Sequence, residues 1–282
     1  MEFLTQNGSR PGPIGQGTWY LGEDPAAFAE ERKALQEGIE QGMTLIDTAE
    51  MYGDGAAEEL VGSAIQGYDR ESLYLVSKVY PFHAGRSNIF HSCRASLRRM
   101  RTDYLDLYLL HWRGSVPFAE TVDCMEQLKR QGLIRAWGVS NLDTADMREL
   151  LAVPDGAHCA ANQVLYHLGS RGVEYDLLPY LQQREIPLMA YCPLAQAGRL
   201  RRGLFANDTV QDIAFFHNAT PAQVLLAFLL ARPGVVPIPR TGQAAHTVEN
   251  ADAARLRLTA EELTALDAAF PPPTRKMPLD IQ

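Results

Sequence analysis

Eight short apolar runs, each followed by a longer segment of helical character, constrain this chain more than any other feature. They read IGQGTW (14–19), TLIDTA (44–49), LYLVSKV (73–79), YLDLYLLH (104–111), IRAWGVSN (134–141), CAANQVLY (159–166), PLMAYCPL (187–194) and VVPIPR (235–240). Several are nearly continuous in apolar residues, as strands covered by helices must be. Between them, residues 25–41 place Phe28, Leu35 and Ile39 near one helical face. FAETVDCMEQLKRQG (118–132) repeats Val122, Met125 and Leu128 at helical spacing, with Gly132 as a stop. Thr220 and Pro221 open PAQVLLAFLLA (221–231) as an N-cap and a first-turn proline. Eight β–α units predict a (β/α)8 TIM barrel of class α/β. The alternative is a doubly wound open sheet, which usually needs fewer strands and a glycine-rich turn after the first. GPIGQG near the start lacks the preceding strand and the full spacing of that fingerprint. With no composition break or long linker, residues 1–282 are expected to form a single domain with an N-terminal extension and an extra C-terminal helix. The stretch 195–220 exceeds a normal connection and is expected to cover the top of the barrel.

Composition narrows the function classes. The chain has 282 residues, 46% of them hydrophobic, enough for one large α/β core. A net charge of −8 with no basic stripe argues against a nucleic-acid partner. Cys93, Cys124, Cys159 and Cys192 are scattered with no CxxC, which suits a reducing compartment rather than a disulfide framework or zinc site. The longest apolar run, VLLAFLLA (224–231), falls far short of the ~20 residues of a membrane span. MEFLTQNGSRPGPIGQG at the start lacks the apolar segment of a signal peptide. A cytoplasmic protein with no membrane partner is expected. Of seven histidines only His111 and His167 fall near strand ends, so no metal site is expected.

In a barrel of this kind the reacting groups sit where strands finish. The runs end in or carry Asp47, Lys78, His111, Ser140 with Asn141, Asn162 with Gln163, Tyr191 and Arg240. Each has an ordinary explanation. Lys78 could be a solvated strand end, His111 a core histidine satisfied by a carbonyl, and Ser140–Asn141 a helix cap before TADMREL (144–150). Those explanations must hold independently, and none accounts for polar groups gathering at one end of several strands.

Asp47, Tyr52, Lys78 and His111 together suggest a proton-delivery site. A tyrosine with a pKa near ~10 is a poor acid at neutral pH. An ammonium ~4 Å from the phenol favours the phenolate by roughly 4 kcal/mol at an effective dielectric of ~20, which is expected to lower the Tyr52 pKa toward the useful range. Asp47 would keep Lys78 charged against desolvation, and His111 would orient a carbonyl oxygen. No nucleophile is apparent, so the missing component is a hydride source. Glu50, between Asp47 and Tyr52, is expected to face water.

LIDTAEMYG, LVSKV, DLYLLHW, GVSN, NQV, AYCPL and VPIPR, in this order and almost end to end, resemble the aldo-keto reductase superfamily. The resemblance implies NADPH-dependent carbonyl reduction, with Asp47, Tyr52, Lys78 and His111 as the catalytic tetrad and Tyr52 as proton donor. It implies that Ser140, Asn141 and Gln163 hold the nicotinamide carboxamide and that Tyr191 stacks on the ring. Pro193, Leu194 and the loop through Gly198 and Leu200 would pass near the pyrophosphate. Arg240 and Thr241 would meet the adenosine 2′-phosphate, and Glu249 and Asn250 would lie near the adenine. Within the superfamily, TLIDTAEMY, HLGSRGVEYDLLP (167–179) and LAQAGRLR (194–201) resemble bacterial members that reduce methylglyoxal.

Two departures stand out. His246 occupies a position where many relatives carry an arginine, which leaves more of the 2′-phosphate to Arg240. Cys192 stands where serine is frequent. Local charge can attract a polyanionic cofactor to an acidic protein, and Arg199, Arg201 and Arg202 are further candidates. Trp19, Tyr80, Phe82 and Trp112 flank the strand ends as an aromatic pocket wall or as core. The short tail PPPTRKMPLDIQ after the last helix is expected to leave the site open to small aldehydes or dicarbonyls. A monomer is expected. The alternative function is a nucleotide-sensing module that binds NADPH with slow or no turnover.

Overall fold

A computed structural model of the chain describes residues 11–281. Eight parallel strands form one sheet in sequential order. They are β1 (Gln16–Gly17), β2 (Leu45–Asp47), β3 (Tyr74–Val79), β4 (Leu105–Leu110), β5 (Ile134–Ser140), β6 (Asn162–Leu165), β7 (Leu188–Tyr191) and β8 (Val235–Ile238). The sheet closes on itself: Gly15 N donates to Pro237 O at 3.0 Å and Gly17 N to Pro239 O at 2.9 Å. The expected barrel is therefore what forms, and each expected run carries a strand. The glycine-rich spelling of the first run has a physical cause at this seam. A Cβ on Gly15 would meet the Leu45 side chain at 2.6 Å, and one on Gly17 would meet Ile238 O at 2.9 Å. The N-terminal extension falls largely on residues 1–10, outside the described residues.

Helices cover the sheet. α1 (Phe28–Glu40), α2 (Ala56–Ala64), α3 (Ile89–Met100), α4 (Phe118–Arg130), α5 (Thr144–Ala152) and α6 (Leu177–Gln182) each follow one of the first six strands. Three helices lie between β7 and β8: α7 (Arg199–Phe205), α8 (Asp208–Phe216) and α9 (Pro221–Leu230). The long 195–220 stretch thus resolves mainly into α7 and α8. α10 (Ala244–Asp252) and α11 (Ala260–Ala269) follow β8, and α11 is the extra C-terminal helix. Thr220 Oγ1 accepts from Gln223 N while the Gln223 side chain accepts from Thr220 N, a capping box that starts α9. Such a cap stabilises a helix by about 1 kcal/mol. Among the described residues no single helix is long and apolar enough to cross a membrane.

Strand alternation divides the apolar residues into two layers. Leu75, Val79, Tyr108, Leu110 and Trp137 face the helices, in the larger cluster. Leu45, Tyr74, Val76, Leu107, Leu109, Ala161, Met189 and Ile238 fill the barrel interior. Successive side chains on a strand point to opposite faces. Two residues beyond Leu45, Val76, Leu109, Ala161, Met189 and Ile238 stand Asp47, Lys78, His111, Gln163, Tyr191 and Arg240. The apolar floor of the barrel therefore continues upward into a ring of polar side chains.

Candidate active site

The ring is tightest at β2 and β3. Lys78 is 0% exposed and Asp47 2%. Lys78 Nζ donates to Asp47 Oδ2 at 2.7 Å, to Thr48 O at 2.8 Å and to Tyr52 Oη at 3.1 Å. Three acceptors match the three N–H donors of an ammonium. Asp47 Oδ1 accepts from Gln163 Nε2 at 2.7 Å. Burial pushes the Asp47 pKa up and the Lys78 pKa down, and each opposes the other's shift through its charge.

Tyr52 reaches this cluster through an unusual turn. After β2 its N–H donates to Ala49 O at 3.1 Å, and Gly53, Asp54 and Gly55 follow at φ of 55°, 50° and 97°. This left-handed run turns the chain back over the strand ends and into α2. The φ of 97° at Gly55 favours glycine there, and a Cβ would also press on the Arg99 side chain at 2.5 Å. Because Tyr52 Oη accepts from Lys78, its own O–H is left to donate into the space above.

The expected lowering of the Tyr52 pKa is not what the structure gives. Burial raises it well above 10, and the Asp47 charge raises it further. The phenol is thus held protonated across physiological pH. His111 stacks edge-on against Tyr52, ring centroids 5.7 Å apart, and its Nδ1 has no hydrogen-bond partner. Burial, and then the Lys78 charge, push its pKa well below 6.5, so it is a neutral imidazole with one N–H to offer.

A cavity of about 720 Å³ opens over these groups. Trp19, Tyr52, His111 and Trp112 line it, with Ser140, Asn141, Gln163, Tyr191, Pro193, Leu194, Arg240 and Thr241. Tyr191 Oη donates to Asn141 Oδ1 at 3.0 Å, Asn141 Nδ2 to His111 O at 3.2 Å, and Ser140 Oγ to Gln163 O at 2.9 Å. Ser140 and Asn141 are not the cap of α5, because Asp143 accepts from Thr144 N in that role. Arg201 and Arg240 also line the cavity, and among the described residues neither is paired with a carboxylate. Arg201 donates to Leu194 O at 3.0 Å, and Arg240 Nε to Trp19 O at 2.8 Å.

Other expected residues lie elsewhere. Tyr80 and Phe82 do not line the cavity: the Tyr80 ring packs edge-on against Trp112 at 5.2 Å, and Phe82 is 71% exposed. On α7, Leu200 is 53% exposed, and neither it nor Gly198, Arg199 or Arg202 reaches the cavity. On α10, Gln243 and His246 at the N-terminal end line the cavity, whereas Glu249 and Asn250, one turn further on, do not. The Glu50 carboxylate does not face water. Its side chain is 10% exposed and accepts from Tyr80 N at 2.7 Å.

The chain's tail reaches the cavity. Lys276 binds Asp176 at 2.7 Å and Asp143, and Ser170 binds Asp280. These ties carry the tail back across the barrel, and Ile281 lines the cavity. Tyr20, Met51 and Gln196 are further lining residues; Met51 and Gln196 lie inside the LIDTAEMYG and LAQAGRLR motifs, which imply no role for them. Only the Lys/Asp complementarity between residues 100 or more apart could have signalled the tail's return.

The aldo/keto reductase family model matches residues 13–270. The chain belongs to the aldo/keto reductase family. Methylglyoxal reductase YeaE of Escherichia coli strain K12 is 58% identical to this reductase over 268 residues, 95% of this chain and 94% of that protein. Glyoxal reductase of Bacillus subtilis strain 168 is 35% identical over 241 residues, 85% of this chain and 83% of that one. Among solved structures, an aldo/keto reductase from Klebsiella pneumoniae in complex with NADP and acetate matches with a TM-score of 0.94 at 56% identity. It covers 96% of this reductase and 95% of that chain. Among the described residues of the reductase, no group of three or more His, Cys, Asp or Glu is placed to hold a metal ion.

Proposed function

We propose that this chain reduces small aldehydes and dicarbonyls, methylglyoxal among them, to alcohols with NADPH, and that it does so as a cytoplasmic monomer. The observation that carries the reading is the Lys78 Nζ to Tyr52 Oη hydrogen bond of 3.1 Å, made beside a buried carboxylate at the base of an open cavity. The relatives that share most of the chain support the substrate class, and the Klebsiella structure supports the cofactor.

The residues present fit a dinucleotide. The Tyr191 ring offers a flat face, and Ser140, Asn141 and Gln163 offer hydroxyl and amide groups. Arg201 and Arg240, with no carboxylate partner among the described residues, are cations set for phosphate groups. Pro193, Leu194 and Thr241 complete that wall, and the N-terminal end of α10 adds a partial positive charge. When bound, the reduced nicotinamide supplies the hydride.

The chain's own groups supply the proton. His111, neutral, donates its N–H to the carbonyl oxygen and sets its orientation toward Tyr52. Tyr52, held protonated, gives its proton to the oxygen as alkoxide character develops. The phenolate left behind faces the Lys78 ammonium, which at 3.1 Å stabilises it by roughly 5 kcal/mol at an effective dielectric of ~20. Asp47 and Gln163 anchor that ammonium. Trp19, Tyr20, Met51, Trp112 and Ile281 give the cavity an apolar wall suited to a small carbonyl compound.

A steady-state screen of NADPH oxidation against short aldehydes, dicarbonyls and sugars tests this. Multiple turnovers are expected, fastest with dicarbonyls. NADPH binding with no turnover on any carbonyl would replace the reading with a sensing role.

A further inference from the structure

Glu50 lies between two members of the catalytic cluster in sequence and belongs to neither. Its carboxylate is nearly buried, and its partners come from a different loop. Oε1 accepts from the backbone N–H of Tyr80 at 2.7 Å and lies 3.1 Å from His83 Nδ1. Tyr80 and His83 belong to the connection after β3, so Glu50 ties the loop that carries Tyr52 to the loop that follows Lys78. The backbone N–H of Glu50 reaches Lys78 O at 3.5 Å, and this extends the same seam.

The tie bears on the substrate wall. The Tyr80 ring does not touch the cavity, but it packs edge-on against Trp112, centroids 5.2 Å apart. Trp112 lines the cavity beside His111, with ring centroids 4.9 Å apart. A chain of contacts therefore runs from the Glu50 carboxylate through the Tyr80 main chain and ring to a residue at the reacting end of the cavity. A hydrogen bond to a nearly buried carboxylate is among the stronger kinds, and an unmet buried N–H is costly.

We propose that Glu50 is a positioning residue for carbonyl reduction: its hydrogen bond to Tyr80 N locks the Tyr80 ring behind Trp112 and so fixes the substrate wall beside Tyr52 and His111. The catalytic part of this proposal rests on the reductase reading given above. The tie itself rests on geometry alone. Glu50 does not itself line the cavity, so its loss is expected to act on substrate affinity through Trp112 and to leave cofactor affinity in place.

Glu50→Ala and Glu50→Gln separate this from a general loss of structure, because glutamine keeps an oxygen to accept from Tyr80 N. Amide hydrogen exchange reads the tie without catalysis. The Tyr80 amide is expected to exchange at least ~10-fold faster in Glu50→Ala and within about twofold of wild type in Glu50→Gln. In steady-state assays with methylglyoxal, Glu50→Ala is expected to raise the carbonyl KM about 5–10-fold, an order-of-magnitude loss for one positioning contact. The NADPH KM is expected to stay within about twofold, and Glu50→Gln to restore the carbonyl KM. Unchanged Tyr80 exchange in Glu50→Ala overturns the proposal, as does a parallel loss of kcat and both KM values, or a glutamine variant as impaired as the alanine one. If the wild-type chain turns over no carbonyl, the reductase reading fails and takes the catalytic role of Glu50 with it, whatever the exchange result.

Discussion

Gln163 Nε2 donates to Asp47 Oδ1 at 2.7 Å and joins two residues 116 apart in the chain. They sit on β6 and β2, on opposite sides of an eight-stranded barrel. The bond crosses the mouth of the barrel and fixes the carboxylate that holds Lys78. It also gives Gln163 a structural duty beside the cofactor contact expected for it, because one of its two amide N–H groups is engaged by Asp47.

Replacing Gln163 with leucine leaves one oxygen of a buried carboxylate without a donor. Unfolding free energy is expected to fall by about 1–3 kcal/mol. Urea denaturation monitored by tryptophan fluorescence measures it. A stability within experimental error of wild type would mean that Asp47 finds another donor.

Lys78→Met removes one half of a buried ion pair and leaves Asp47 uncompensated. A loss of about 3–5 kcal/mol is expected. The double variant Asp47→Leu/Lys78→Met has no buried charge to strand and is expected to be more stable than Lys78→Met alone, though inactive. Chemical denaturation of the three proteins decides the matter. A double variant weaker than the single one would show that the pair contributes more than the removal of its mutual penalty.

The buried histidines set an acid limit. His111 is held well below 6.5 by burial, and His167 is pushed down to about 4 by burial. In the unfolded chain both take up protons below about pH 6.5, so the unfolded state then binds more protons than the folded one. The stability they contribute is full above that pH and declines as pH falls through the window toward 4. Melting temperature measured from pH 7.5 to 4.5 is expected to drop, and His167→Gln is expected to flatten part of the slope. Because Tyr52 stays protonated and His111 neutral, kcat for reduction is expected to stay flat from about pH 6.5 to 8.5.

Arg240→Ala is expected to raise the NADPH KM about 10–100-fold, the equivalent of one or two charge-assisted hydrogen bonds, and to change NADH KM far less. It also removes the donor to Trp19 O, so a modest rise in carbonyl KM should accompany it. Parallel KM comparisons with both nucleotides check this. Equal losses for NADPH and NADH would remove the 2′-phosphate contact from the account.

The fold and the core of the site were legible because strand periodicity carries both. A period of two places Asp47, Lys78 and His111 on the same face as the apolar residues two positions before them, so recognising the strands was nearly enough to find the site. What the sequence did not reveal depends on loops and tertiary reach. Tyr80 and Phe82 read as wall residues by proximity to β3, but the turn after that strand directs Tyr80 behind Trp112 and Phe82 outward. Glu50 looked solvated because its partner, a backbone N–H on another loop, has no sequence signature. Ile281 reaches the cavity only because Lys276 and Asp280 find acids and a hydroxyl on distant loops. Electrostatics misled in one instance: the ammonium beside Tyr52 is present as expected, but burial, and then the Asp47 charge, raise the phenol's pKa and keep it protonated.

Turnover by Tyr52→Phe, assayed with methylglyoxal beside an NADPH fluorescence titration, tests the central claim most directly. The substitution removes one oxygen and the proton it would deliver, and leaves the ring against Trp19 and His111. The expected result is a kcat at least ~100-fold lower with NADPH affinity within about twofold of wild type. Near-normal turnover in the phenylalanine variant would contradict the account, because the proton would then come from a group other than Tyr52.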